Sequence, residues 1–487
     1  MKPLPRWSVL LACALWPALA CAATTSPIDP ALLDLKIVPG AGAAVQADAN
    51  LNAAFSDLQS SLHVTMGADP KLSNDPFQPL AAPTATREVV GLDTAWAAPM
   101  LGRLNLSLSD AFDQSWRGAA LGLTDLHQIN TEDRGVSTGL RMKPLRAVEL
   151  SLTASVAQRS VLDVASIQAA IPEPHSQFST TSENLSGGVK WRPLSMFSLE
   201  AGGTLETVGA AWRGAPAGTV MTGSRVAYTD FQPRLAGALD LPRGGRLGLT
   251  FEHAVAPLDT GAFAAFAAVE DRASAARIGP NREWRYQLHL DQKLAGDLQF
   301  SASLLQARIE SATELGPAGP DLQAPISVAG GERQEADVSL SAPLTLFGLP
   351  AFTLNGMGAW RSSQVRDPFT GELRRASAET PQNAILGLTQ WLGHGASWGL
   401  EGRFGGDQSL YQMSQVTNVA VADSLGGFVE YAPGPVALRL QIDGLYGGER
   451  TSTNFYYAGA RSSAALDRID RHTDDGQAVR LILSKAL

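Results

Sequence analysis

Asn281-Arg282-Glu283-Trp284-Arg285-Tyr286-Gln287-Leu288-His289-Leu290-Asp291-Gln292-Lys293 opens a hairpin that continues, past Ala295-Gly296, to Ser303. Every second residue of its first arm falls into one of two rows. Arg282 heads the first row, and Trp284, Tyr286, Leu288 and Leu290 follow. The second row is Glu283, Arg285, Gln287, His289, Asp291 and Lys293. Beyond the turn, Leu298, Phe300, Ala302 and Leu304 alternate with Asp297, Gln299, Ser301 and Ser303. A period of two is the mark of a strand, because successive side chains point to opposite faces. Alternation alone does not separate a soluble sandwich from a membrane barrel. Strand length, the ionic density of one face and repetition of the unit do.

The chain has 487 residues, a formal net charge of −9 and only 17% charged residues. Such a charge argues against nucleic acid as a partner. No run of 18 or more apolar residues lies beyond the N-terminus, which excludes spanning helices. Lys2 and Arg6 precede the apolar run Trp7 to Ala20, and Ala20-Cys21-Ala22 offers an A-x-A site. Residues 1–22 therefore read as a secretory signal peptide. Its removal takes away Cys13 and Cys21, the only cysteines, which suits passage through an oxidising compartment. Lipidation at Cys21 is the competing reading, but Ala18 stands where that motif wants a bulky aliphatic residue. Residues 23–85 are rich in Ala, Pro and Asp and read as a weakly structured leader, with one strand near Leu62–Ala68.

From residue 86 onward, tight-turn signals recur at Pro99-Met100, Lys143-Pro144, Arg192-Pro193, Arg243-Gly244-Gly245, Ala295-Gly296, Gly348-Leu349-Pro350, Gly393-His394-Gly395 and Pro433-Gly434-Pro435. Each interval reads as two long strands, one tight turn and one long connection, not as the four short strands of a propeller blade. Val148, Leu150, Leu152, Ala154 and Val156 alternate with Glu149, Ser151, Thr153 and Ser155; Val436, Leu438, Leu440 and Ile442 alternate with Arg439, Gln441 and Asp443. Strands of roughly 10–13 residues fit the length a tilted strand needs to cross a bilayer. Backbone groups in lipid must all be paired, so such strands exist only in a closed barrel. The expected fold is an all-β, transmembrane antiparallel β-barrel over residues 86–487, of about 18 strands (range 16–22), with short periplasmic turns and long extracellular loops. The long segments are Gln158–Thr181, Gly209–Gly223, Ala256–Pro280, Thr313–Gly330, Arg366–Glu379, Gly405–Asp423 and Gly447–Gly476. Trp191, Trp284, Trp360, Trp391 and Trp398 fall near strand ends, where aromatic girdles sit.

Several stretches carry a resemblance: Gly279-Pro280-Asn281-Arg282-Glu283-Trp284-Arg285-Tyr286, Trp360 to Glu372, Phe428-Val429-Glu430-Tyr431-Ala432-Pro433, and the closing Val479 to Leu487. Through them, the region from about Phe231 to Leu487 resembles the C-terminal barrel of bacterial TonB-dependent outer-membrane receptors. The resemblance implies a barrel in the cell outer membrane, outer-membrane lipid around it, and assembly by the barrel-assembly machinery through the closing strand Gln477–Leu487. The chain departs from that family in three respects. About 60 residues separate the signal peptide from the regular strands, at the lower edge of what a plug domain needs. No segment pairs convincingly with TonB, so coupling to TonB is not carried over. The chain ends in Leu487, where the family ends in Phe.

Seven histidines, His63, His127, His175, His253, His289, His394 and His472, show no metal-ligand spacing, and no nucleophile elbow, H-E-x-x-H or phosphate loop is present. No cofactor, metal or catalytic residue is assigned. Arginine outnumbers lysine by 31 to 7, and guanidinium groups pair with carboxylates in fixed geometry. The candidate lumen-lining residues are Glu283, Arg285, His289, Asp291, Arg333, Asp337, Arg361, Arg439 and Asp443, with Glu335, Glu401 and Arg403 in the same rows. These rows read either as a charged solute path or as ion pairs that only satisfy an interior. The functional expectation is a plugless relative of those receptors that mediates uptake or passage of an unidentified solute. The alternatives are a non-transporting scaffold or surface-binding barrel and, last, a barrel enzyme.

Overall fold

The computed structural model describes residues 32–485, apart from 40–44, 56–57, 70–84, 99–101, 119–125, 165–173, 215–221, 260–261, 264–277, 295–297, 320–321, 435, 458–460, 462–464 and 475–476. The signal peptide and the last two residues lie outside the described residues. Contacts divide the chain into two units, Met1–Trp191 with Ala201–Pro233, and Arg192–Glu200 with Arg234–Leu487.

The first unit is built of β1 (Leu32–Pro39), β2 (Val45–Phe55), β3 (Leu58–Asp69), β4 (Ala85–Ala98), β5 (Gly102–Gly118), β6 (Leu126–Leu145), β7 (Val148–Val164) and β8 (Pro174–Leu194), with most of β9 (Phe197–Gly214) and the start of β10 (Thr222–Leu241). From β1 to β8 each strand pairs antiparallel with the next. The register aligns like with like: Leu92 faces Leu108, Leu108 faces Val136, and Val136 faces Val156. This apolar row is not a core. Val136, Leu152, Val156 and Leu185 are all about half exposed. A soluble sandwich would bury such a row; a continuous exposed apolar face needs an apolar surrounding.

The second unit adds β11 (Gly245–Val255), β12 (Arg282–Lys293), β13 (Gln299–Gly319), β14 (Leu322–Pro343), β15 (Phe352–Arg366), the two-residue β16 (Leu373–Arg374), β17 (Gln382–Gly393), β18 (Ala396–Gly405), β19 (Gln408–Tyr411), β20 (Gln415–Val421), β21 (Ser424–Tyr431), β22 (Val436–Gly447), β23 (Glu449–Tyr456), β24 (Asp467–Asp474) and β25 (Ala478–Lys485). Antiparallel ladders run β10–β11–β12–β13–β14–β15–β17–β18–β21–β22–β25. A second sheet of four strands joins β19, β20, β23 and β24. The large sheet counts 21 strands among the described residues, inside the expected range. Setting aside the short β16 leaves twenty. Six of the eight tight-turn signals fall at the junctions of consecutive strands, while Lys143-Pro144 and Arg192-Pro193 lie within the last three residues of β6 and β8, and the turns follow at 146–147 and 195–196. Among the described residues, no helix is long and apolar enough to cross a membrane.

Two expectations need correction. Within residues 23–85, where the sequence predicts one strand, β1, β2 and β3 run in register with β4. The long segments are also less irregular than expected. Thr313–Gly330 is the far half of a hairpin in which β13 and β14 reach 21 and 22 residues. Gly405–Asp423 and Gly447–Gly476 carry the second sheet, and Arg366–Glu379 carries β16. For the long segments the physical reason is direct. Backbone N–H and C=O groups pair as readily outside a bilayer as within it. The two-residue contrast fades, however, where both faces of a strand meet water, so periodicity loses a strand that hydrogen bonding continues.

Candidate functional site

The register of β11 and β12 sets the two rows of the opening hairpin against matching rows. Leu247 faces Leu290, Leu249 faces Leu288 and Phe251 faces Tyr286 on one face. Glu252 faces Arg285 on the other. The rings of Phe251 and Trp284 stack at 5.1 Å on the apolar face.

On the ionic face a ladder of alternating charge crosses six strands of the second unit. Glu200 on β9 accepts from Arg234 on β10 at 3.1 Å, and Arg234 reaches Glu252 on β11 at 3.6 Å. Glu252 lies 3.6 Å from Arg285 on β12. Arg285 donates to Glu283 at 2.5 Å, and Glu283 also accepts from Arg333 on β14 at 2.8 Å. Arg333 is 4.0 Å from Glu335, which accepts from Arg361 on β15 at 2.9 Å; Arg361 is 3.9 Å from Asp337. Ser303 on β13 donates to Asp337 at 3.4 Å.

β12 and β14 are not neighbours, because β13 lies between them. Ala307 on β13 is paired with both Arg285 and Arg333 and is 1% exposed. Its methyl group leaves room for Glu283 and Arg333 to meet above it. A long side chain there would separate them. Exposed pairs of this kind are worth at most about 1 kcal/mol each. Here Glu283 and Glu335 are only 14% and 16% exposed, and each carboxylate serves two guanidinium groups, so the ladder is held more firmly than isolated surface pairs.

Of the nine residues singled out in the sequence, Glu283, Arg285, Arg333, Asp337 and Arg361 belong to this ladder. His289 and Asp291 lie on the same face and bond each other at 2.8 Å. Arg439 and Asp443, four residues apart on β22, do not pair with each other. Four residues along a strand span about 13 Å, so neighbours across the ladder win. Arg439 pairs with Glu430 on β21 at 3.7 Å and covers the Phe428 ring, while Asp443 pairs with Arg480 on β25. Arg403 and Glu401 form a separate pair at 2.9 Å. Sequence reasoning missed Glu200, Arg234, Ala307, Glu430 and Arg480 as partners. Each sits in an alternating row, but only register shows which row meets which.

A second cluster lies on the same face, further along β15. Arg361, Ser363 and Val365 share one side of that strand, Asp367 follows its end, and Ser363, Val365 and Asp367 are buried. Asp367 accepts from Arg374 at 2.5 Å, from Arg461 at 2.6 Å and from the backbone N–H groups of Phe369 and Thr370 at 2.8 and 3.0 Å. Arg374 also donates to buried Glu314 on β13 at 3.1 Å and lies 4.1 Å from the Tyr411 ring centre. Burial pushes the Asp367 carboxyl upward, but the four hydrogen bonds outweigh it and hold the group at about 2.

No protein-family model and no curated protein matches the sequence. Solved structures do match its fold. The copper transporter OprC superposes with a TM-score of 0.65 at 12% identity, covering 91% of this chain and 72% of that one. The ferric citrate transporter FecA in its unliganded form gives 0.63 at 11% identity, covering 90% and 70%. The ferric yersiniabactin uptake receptor FyuA from Yersinia pestis gives 0.56 at 11% identity, covering 93% and 74%. These neighbours are TonB-dependent receptors, and the likeness to their barrels extends over about nine-tenths of the chain. The chain therefore has the fold of a transmembrane antiparallel β-barrel. In this fold the exposed apolar face meets lipid, the short turns are periplasmic and the long connections extracellular.

Proposed function

We propose that this protein is an outer-membrane barrel that carries a solute across the membrane along the ionic face of its strands. The observation that carries the reading is the continuous ladder from Glu200 to Asp337, placed on the face opposite the apolar row. A lumen that only needed filling would be satisfied by packed side chains. A row of fixed alternating charge instead presents polar partners to whatever moves past it. The fold is shared with transporters of copper and ferric citrate and with an uptake receptor, which supports uptake as the direction. Glu283, Arg285, His289, Asp291, Arg333, Asp337, Arg361, Arg439 and Asp443 are proposed to line the path.

The test is conductance of the purified full chain in planar bilayers, with solute entry into liposomes alongside. Charge-dependent conductance, or entry of a charged solute, is the expected result. A folded barrel that shows neither rejects the path. The ordered second sheet at the extracellular end would then favour the surface-binding reading.

A further inference from the structure

The second sheet is not a separate insertion. It continues four strands of the wall past a line of breaks. β18 leads into β19 across Gly405-Gly406, β20 into β21 across Ala422-Asp423, β22 into β23 across Gly447-Gly448, and β24 into β25 across residues 475–477. The order is kept on both sides of the line. Below it β18, β21, β22 and β25 are neighbours; above it β19, β20, β23 and β24 are neighbours in the same sequence.

The breaks are built to bend. Gly405, Gly406, Gly447 and Gly448 have φ of 76°, 130°, 72° and 97°, in the left-handed region. A Cβ on Gly447 would lie 1.8 Å from the carbonyl oxygen of Asp423. Side-chain bearing residues rarely adopt such backbone conformations. The Asp423 carboxylate accepts from the Gly405 N–H at 3.1 Å, and the Ala422 N–H donates to the Glu449 carbonyl at 2.8 Å. The first three breaks thus lie at one level and are bonded to each other.

The free end of this bent sheet is tied to strands that are not its ladder neighbours. The Met413 N–H donates to the Gln323 side chain on β14 at 2.8 Å, and the Tyr411 N–H to Ser377 Oγ at 3.1 Å. The Ala378 N–H donates to the Ser409 carbonyl at 2.8 Å. At the centre of these ties sits the Asp367 cluster. Arg461 comes from the connection between β23 and β24, whereas Asp367 and Arg374 come from the segment after β15 and Glu314 from β13. The side chains of Asp367, Glu314, Arg374 and Arg461 are all less than a tenth exposed.

We propose that β19, β20, β23 and β24 form a hinged flap, bent at the line of breaks and latched against the segment that follows β15 by the Asp367–Arg461 bond. A flap of this kind has two sharp requirements, and both are present. One is a single line of weakness across all of its strands. The other is a localised attachment at the far end, where Arg461, the flap's contribution, joins the buried Asp367 cluster. Asp367 follows β15 directly, one residue past the strand that carries Arg361, so release of the latch uncovers the end of that strand. What that release means for passage rests on the solute path proposed above; the hinge and latch do not.

Hydrogen–deuterium exchange of the purified full chain in detergent micelles tests the device without any transport assay. In Arg461→Gln, amides of β19, β20, β23 and β24 are expected to exchange at least tenfold faster, as one group, while β21, β22 and β25 below the hinge keep their protection. Unchanged protection in the flap, or equal loss on both sides of the hinge, overturns the proposal. A cysteine pair replacing Ser377 and Ser409 guards against a folding defect. When its disulfide is closed in the Arg461→Gln background, flap exchange must return to the slow rate, and reduction must release it. Fast exchange in the oxidised form also overturns the latch. If the flap behaves as expected while the protein conducts nothing, the device stands and the solute path falls.

Discussion

At the scale of single residues, the neighbour across the ladder decides what a side chain does. Leu440 on β22 pairs with Val429 and Leu481, both on the exposed apolar face, whereas the adjacent Gln441 bonds Asp443 on the ionic face. Leu440→Arg is expected to lose roughly 2–4 kcal/mol, the cost of a cation at the bilayer midplane. Gln441→Arg, one position away, is expected to assemble normally. Heat-modifiable migration of the folded barrel checks both, and equal assembly of the two variants would put the assigned faces in error. Asp367 makes a pH prediction. Its folded value of about 2 lies below the ordinary 3.8, so its contribution is fully present above pH 4 and is lost as pH falls through 2. The shift corresponds to about 2 kcal/mol. Asp367→Asn should therefore be less stable than the parent in urea at pH 7. The gap should close below pH 2, where both chains carry a neutral group; a gap independent of pH would assign the loss to packing.

At the scale of elements, strands were legible wherever their two faces differed. β12 could be read residue by residue because Leu288 and Leu290 alternate with His289 and Asp291. β14 was legible only in its lower half, at Val338 and Leu340. Above Gly331 its ladder with β13 continues through Ser327, Ile326 and Pro325, where no such contrast exists. β1 to β3 do alternate, Leu33, Leu35 and Ile37 against Asp34 and Lys36 in β1, but the Ala-, Pro- and Asp-rich stretches around them mask the pattern. The bends are an element-scale property too. Gly447→Ala places a methyl group against the Asp423 carbonyl at a left-handed position. It is expected to cost on the order of 1–3 kcal/mol and to raise exchange at Ala422 and Asp423 first. A stability equal to the parent's would remove the argument that this position requires glycine.

At the scale of the whole molecule, the charged face carries the functional reading. Arg285 bonds Glu283 and approaches Glu252. Arg285→Glu turns this stretch of the ladder into three consecutive carboxylates. The field along the path then becomes more negative, and permeability is expected to shift toward cations by severalfold at low salt, less so at high salt. Bi-ionic reversal potentials measure this directly, and an unchanged reversal potential in a conducting variant would place Arg285 away from the path.

The residue order alone determined the strand period, the positions of the tight turns to within a few residues and the division of each strand into an apolar and an ionic row. Those are local properties, set by side chains one, two or three positions apart. Which rows meet was decided only in the tertiary structure. Glu283 reaches Arg333 because β13 offers Ala307 between them, and Arg461 reaches Asp367 although 94 residues separate them. Both bonds depend on register summed over several ladders, and a one-residue slip in any of them would turn the charges to the opposite face.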